Sequence, residues 1–183
     1  MTIFLLQIKA DFEGLSSLTP RPNNTWTLTI SNPQSSSEVR EMVTVSSEDE
    51  VAVENDKVGL VNFKVKWEGA KKDSTLRVCT GEEKELKKGK GKKKGQGGED
   101  WDSNVPSAVE EGGKWTTVLA VDCRGLEPTV YHPHPTDFTA ESEWGSKFEE
   151  EIDLADEDGW CEYCDKGGEP VGIQEFMWRW TAI

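Results

Sequence analysis

Histidine is scarce in this chain, with two in 183 residues. Neither His132 nor His134 has a serine or cysteine motif beside it. No nucleophile, base and orienting group therefore stand together, and no enzyme activity is expected. No apolar run reaches about 18 residues, which excludes a transmembrane helix. The opening MTIFLLQIKADF lacks a basic leader and a small-residue cleavage site. It is not read as a signal peptide, and the cytoplasm is the expected location. Four cysteines, Cys79, Cys123, Cys161 and Cys164, form no obvious disulfide framework for a chain of this size. Positive charge is in deficit as well. Lys and Arg number 21 against 35 Asp and Glu, for a net charge of −14 and a pI near 4.6. Binding to nucleic acid or to an anionic membrane needs a basic face, so neither is expected. One stretch departs from this balance: Lys84 to Lys94 holds seven lysines and one glutamate.

What is present points to a folded β protein. Eight tryptophans need apolar cover and argue for a packed interior. Apolar residues recur with period two. Leu6, Ile8, Ala10 and Phe12 share one strand face, and Trp26, Leu28 and Ile30 alternate with threonines. The same alternation runs through Val61, Phe63, Val65 and Trp67, through Thr117, Leu119, Val121 and Cys123, and through Phe176, Trp178 and Trp180. Polar outer faces predict antiparallel sheets with one side wet. The expected fold is all-β.

Two segments repeat at nearly equal offsets. Ala10-Asp11-Phe12-Glu13-Gly14-Leu15 is echoed by Val121-Asp122-Cys123-Arg124-Gly125-Leu126, and Val58 to Trp67 is echoed by Val171 to Trp180. They predict two pseudo-symmetric antiparallel halves, 1–80 and 114–183, packed as one unit. Gly14 and Gly125, at matching positions, read as turn residues ending the first strand of each half. Residues 81–113, rich in Gly, Lys and Glu, read as a mobile loop, because they offer little apolar area to offset their ordering entropy. Residues 127–147, with Pro128, Pro133 and Pro135, read as a second irregular region.

Four features invite chemistry. Cys161-Glu162-Tyr163-Cys164 is a lone CxxC, supplying two of the four ligands that structural zinc takes. His132-Pro133-His134 could add two imidazoles, with Asp137 as a carboxylate. Gly89-Lys90-Gly91-Lys92 has the wrong glycine spacing for a phosphate loop and reads as a solvated linker. The clusters Phe148-Glu149-Glu150-Glu151 and Asp156-Glu157-Asp158 lack EF-hand spacing and read as solvated faces.

Asp122-Cys123-Arg124-Gly125-Leu126-Glu127-Pro128, Val171-Gly172-Ile173 and the opening Leu6-Gln7-Ile8-Lys9-Ala10 resemble the eukaryotic CXXC-motif-containing zinc-binding protein family. The resemblance spans nearly the whole chain outside residues 80–113. It implies a compact all-β protein of two halves, in which two CxxC pairs of the first half hold one zinc. Carried onto this chain, the pairs fall at Asn32 and Ser35 and at Val65 and Glu68, and none of the four is cysteine. Valine cannot ligate zinc, and the remaining oxygens suit a thiolate-type site poorly. The Cys161/Cys164 pair lies in the second half, where the resemblance places no ligand pair. Two fused β halves with core tryptophans would supply the folding energy that a structural zinc otherwise adds.

The expectation is thus a non-catalytic interaction protein, without cofactor or metal, whose partner is another protein. Two rival readings stand beside it. One is a zinc- or copper-binding protein using Cys161, Cys164, His132 and His134. The other is a small-molecule binder with a tryptophan-lined groove between the halves.

Overall fold

A strand with an apolar group at every second position must lie on a core. The first strand, β1 (Thr2–Glu13), does so through Leu6, Ile8 and Ala10, all buried in the main cluster. The computed structural model describes residues 2–53, 59–87, 105–110 and 112–183. After β1 the chain bends at Gly14, with φ of +64°, into β2 (Leu15–Pro20). Next come β3 (Thr25–Asn32), which buries Trp26, Leu28 and Ile30, and β4 (Ser35–Ser46), its hairpin partner. Short strands follow: β5 (Val51–Ala52), β6 (Leu60–Val61), β7 (Phe63–Val65) and β8 (Ser74–Val78). A single helical turn, α1 (Lys84–Lys87), precedes β9 (Thr116–Arg124). The chain bends again at Gly125, with φ of +69°, into β10 (Glu127–His132). The remaining strands are β11 (Phe138–Ser142), β12 (Lys147–Phe148), β13 (Trp160–Cys164) and β14 (Glu169–Ala182). The fold is all-β, as the alternation predicts.

Among the described residues the strands form four sheets, with every pairing antiparallel. The largest has the order β13-β14-β1-β9-β8-β7; the others are β10-β3-β4, β12-β11-β2 and β5-β6. At the centre β1 lies against β9, with Leu5 opposite Ala120 and Leu6 opposite Leu119. Outward from this pair, each half adds the two strands of one hairpin, β8 and β7 on one side and β14 and β13 on the other. The strands after the glycine bends cross over: β2 pairs with β11, and β10 with β3. A Cβ at Gly14 would come within 2.9 Å of Val171 Cγ1, and one at Gly125 within 2.6 Å of Ser74 Oγ. Both bends thus need a left-handed backbone and a bare Cα.

Four expectations change. The central strand β9 is buried on both faces rather than wet on one. Its second face is covered by a small cluster of Ile3, Leu5, Cys79, Leu86 and Ala120, with Val105 against it. Consequently the 81–113 segment is not a loop throughout. Leu86 is buried in α1, and Val109 is buried where it bridges Leu18 with paired backbone hydrogen bonds of 2.8 and 2.9 Å. Its lysine-rich stretch from residue 88 to 104, including Gly89 to Lys92, lies outside the described residues.

Residues 127–147 hold three strands rather than irregular chain. Proline is accommodated because the register shifts between Pro128 and Val130, where a ladder N–H is not required. Finally, the echo of residues 58–67 in 171–180 joins unlike places: β7 is an edge strand, whereas β14 lies beside β1. No helix among the described residues is long and apolar enough to cross a membrane.

Candidate functional site

The four positions implied by the family resemblance lie on two turns. Asn32 and Ser35 flank the β3–β4 turn and face each other across it. An asparagine here fixes the turn through its own side chain. Asn32 Oδ1 accepts the Gln34 N–H at 2.9 Å, while its Nδ2 donates to Glu38 Oε2 at 2.7 Å. Ser35 Oγ lies 3.2 Å from Ser37 Oγ. On the second turn, Val65 ends β7 and packs, half-buried, against the main core. Trp67 is buried and donates Nε1–H to the Gly125 carbonyl at 2.8 Å. Glu68 is exposed, and its backbone N–H donates to Glu38 Oε1 at 2.8 Å. Two residues further along β4, the Arg40 guanidinium lies 5.4 Å from the centre of the Trp67 ring.

The fold therefore brings the two turns together, joined by Glu38. These residues do not fit a tetrahedral zinc. Val65 has no donor atom, and both polar atoms of Asn32 are already engaged. Sequence reasoning missed Glu38, which sits in no motif and meets the second turn only through tertiary folding.

The lone CxxC is divided by strand geometry. Cys161 and Cys164 stand three residues apart on β13, so their side chains leave opposite faces. Cys161 is exposed and Cys164 buried, and both are free thiols. The Cys164 Sγ lies 3.3 Å from Ser146 Oγ and 3.6 Å from Ser142 Oγ. Hydrogen bonding, chiefly from Ser146, holds its thiol below the ordinary value despite burial. The other two cysteines are buried. Burial, reinforced by Glu83 and Asp122, pushes the Cys79 thiol up to about 12. Cys123 is likewise raised by burial first.

The histidines are engaged elsewhere. His132 Nε2 lies 2.8 Å from Thr29 Oγ1, and His134 Nδ1 lies 2.8 Å from Thr136 Oγ1. Asp137, the carboxylate considered with them, is fully buried. It accepts the Tyr131 hydroxyl, the His134 backbone N–H at 2.9 Å and Asn24 Nδ2–H at 2.9 Å. Burial and this carboxylate together push the Tyr131 hydroxyl well up. Among the described residues, no three His, Cys, Asp or Glu side chains stand where they could hold one metal ion.

The tryptophans serve the core more than a groove. Trp26 packs against Tyr131 and Phe138 with ring centres 5.8 and 6.0 Å apart, and Trp178 meets Tyr131 edge-on at 6.3 Å. Trp160 packs against Phe148, and Trp115 lies under the Arg179 guanidinium at 4.2 Å. A depression of about 220 Å³ lies on the β12-β11-β2 sheet, lined by Ser17, Thr19, Thr139, Ala140, Glu141, Lys147 and Glu149. Tryptophan does not line it. The acidic side chains at 149–151 and 156–158 are exposed, as expected of solvated faces, while the stretch between them is anchored. Arg21 donates to the Glu149 and Glu150 carbonyls, and Ile152 and Leu154 are buried.

Comparison with known proteins agrees with this architecture. The model of the family described as CXXC motif containing zinc binding protein, eukaryotic, matches residues 5–181. UPF0587 protein CG4646 of Drosophila melanogaster is 36% identical over 81 residues, 44% of this chain and 48% of that protein. The CXXC motif containing zinc binding protein of Xenopus laevis is 39% identical over 77 residues, 42% of this chain and 46% of that one. The chain thus spans less than half the length of the curated relatives it matches. A hypothetical protein from Plasmodium falciparum has a related fold, with a TM-score of 0.75 at 22% identity, covering 99% of this chain and 100% of the other. The crystal structure of C1orf123 gives the same score and identity, over 99% of each chain. With an all-β fold and a family match from residue 5 to residue 181, the chain belongs to the eukaryotic CXXC motif containing zinc binding protein family.

Proposed function

We propose that this chain is a non-catalytic, metal-independent member of its family that acts in the cytoplasm through contact with another protein. The observation that carries the reading is the pair of turns at Asn32/Ser35 and Val65/Glu68. They approach each other, but a carboxylate and an amide join them, and one of the four positions is an apolar valine. Non-catalysis is supported by the dispersal of the reactive groups. The histidines rest on threonines, Asp137 is enclosed by donors, and two of the four thiols are shifted up by burial. A protein partner is favoured over a small ligand because the described depression has no aromatic wall and one apolar side chain, Ala140, in its lining. Tyr163 on β13 and Met177 on β14 are among the large apolar side chains exposed for such a contact.

The two halves descend from one duplicated unit in this reading. Support comes from the two glycine bends, from the mutual pairing of the strands that precede them, and from the matching hairpins on either side.

Elemental mass spectrometry of protein purified without a histidine tag tests the metal-free state. Below about a tenth of an equivalent of zinc or copper is expected. Close to one equivalent would overturn the reading and direct the search for ligands to Cys161, Cys164 and the histidines.

A further inference from the structure

Two turns that a metal could have joined still approach each other here, and their N–H donors, one on a side chain and one on the backbone, need acceptors. Glu38 supplies them. Its two carboxylate oxygens serve different turns: Oε2 accepts from Asn32 Nδ2 at 2.7 Å, and Oε1 accepts from the Glu68 N–H at 2.8 Å. Both donors belong to residues that occupy the family's ligand positions by resemblance. We propose that the Glu38 carboxylate has taken over the cross-linking role of the family's zinc, as an anionic bridge built from protein alone.

The chemistry of the replacement is coherent. A zinc–thiolate centre gathers backbone N–H donors around its negative sulfurs. Here the carboxylate gives one such N–H, that of Glu68, a negative acceptor and takes its second donor from the Asn32 side chain. A carboxylate needs a donor on each turn, and asparagine at position 32 provides one where cysteine would not. The strand that carries Glu38 adds a second clasp. Arg40, two residues on and so on the same side of β4, stacks its guanidinium over Trp67 at 5.4 Å. Glu38 thus holds the backbone at position 68, and Arg40 holds the ring at position 67. Val65, facing the core, fills with apolar packing the volume that a ligand at that position would occupy. Four separate residues then favour one closed arrangement of the turns.

This inference rests on the proposed correspondence of positions 32, 35, 65 and 68 with the family's ligands, and the test separates the two. In the native chain, Glu38→Ala is expected to lower Tm by about 4 °C. It should also speed hydrogen exchange at the Glu68 amide about tenfold, leaving the Leu28 amide unchanged. A double-mutant cycle with Asn32→Ala should show coupling, because each change removes the same bond. In a second background, Asn32→Cys, Ser35→Cys, Val65→Cys and Glu68→Cys are combined and the protein is loaded with zinc. There, Glu38→Ala is expected to leave Tm unchanged, since the metal already joins the turns.

An equal loss in both backgrounds, or a silent Glu38→Ala in the native chain, would overturn the replacement. Failure of a folded four-cysteine variant to take up zinc would instead overturn the assignment of the ligand positions. The native-chain cycle and the Glu68 exchange rate would then still decide whether Glu38 links the turns.

Discussion

Trp67 donates its indole N–H to the carbonyl of Gly125, 58 residues away, at 2.8 Å. That carbonyl also accepts Ser74 Oγ–H at 2.8 Å. The turn after β7 is thereby fastened to the bend between β9 and β10, and the same bend anchors the start of β8. Replacing Trp67 by Phe keeps most of the ring and removes the donor, while Ser74 still satisfies the carbonyl. A loss of about 1 kcal/mol is expected, read as the shift in the urea midpoint at unchanged slope. A loss above about 3 kcal/mol would mean that the ring, not the hydrogen bond, holds this turn.

Gly125→Ala is expected to destabilise by more than the left-handed backbone alone would cost, which is about 1–2 kcal/mol. The added methyl would meet Ser74 Oγ at 2.6 Å. Combining it with Ser74→Gly should recover the steric part and leave the backbone part. Denaturant melts of the two single variants and the double variant separate these contributions, and strict additivity would disprove the clash.

Asp137 accepts three donors in a fully buried setting. Asp137→Asn keeps the shape but turns one acceptor into a donor that must face another donor. A loss of about 2–3 kcal/mol is expected, larger than for Tyr131→Phe, which leaves the carboxylate two of its partners. If the amide is tolerated at below about 0.5 kcal/mol, the carboxylate is not the organising group of this loop.

The Cys79 thiol, raised from 9.0 to about 12, makes stability depend on pH in one direction. Between these values the unfolded thiol releases its proton while the folded one keeps it. The folded state then binds more protons, so stability is intact below pH 9 and falls as pH rises toward 12. The drop from this group is at most about 1.4 kcal/mol per pH unit. Urea melts at pH 8, 9.5 and 10.5 should show the advantage of the native chain over Cys79→Ala shrinking with pH. A constant difference would show that this thiol ionises alike in both states.

Much of the fold was legible because its strands obey a period of two. Leu6, Ile8 and Ala10, and again Trp26, Leu28 and Ile30, are buried where the alternation puts them. Leu86 and Val109 were not legible, since isolated apolar residues in a charged, glycine-rich stretch carry no period. The burial they gain depends on Leu5, Ala120 and Leu18, residues remote in sequence. Pro128 hid a strand because the register shift that admits it is a property of the pair, not of the segment. At the candidate site, family resemblance pointed to positions 32, 35, 65 and 68, which the fold sets on two turns bridged by Glu38, and valence chemistry argued that their residues suit zinc poorly. Glu38 escaped notice for a physical reason: one glutamate among serines acquires meaning only when two turns close around it.

The crossed pairing of β2 with β11 and of β10 with β3 has a kinetic meaning. Neither half can close its own sheets. A chain cut between them would yield two fragments, each with an open central edge, that should regain structure only by complementation. Contacts such as Leu5 with Ala120 span most of the chain, which gives a high contact order and predicts slow, late-committing folding. Partial synthesis would leave β1 waiting for β9, exposing a strongly apolar edge until Thr116–Arg124 has been made.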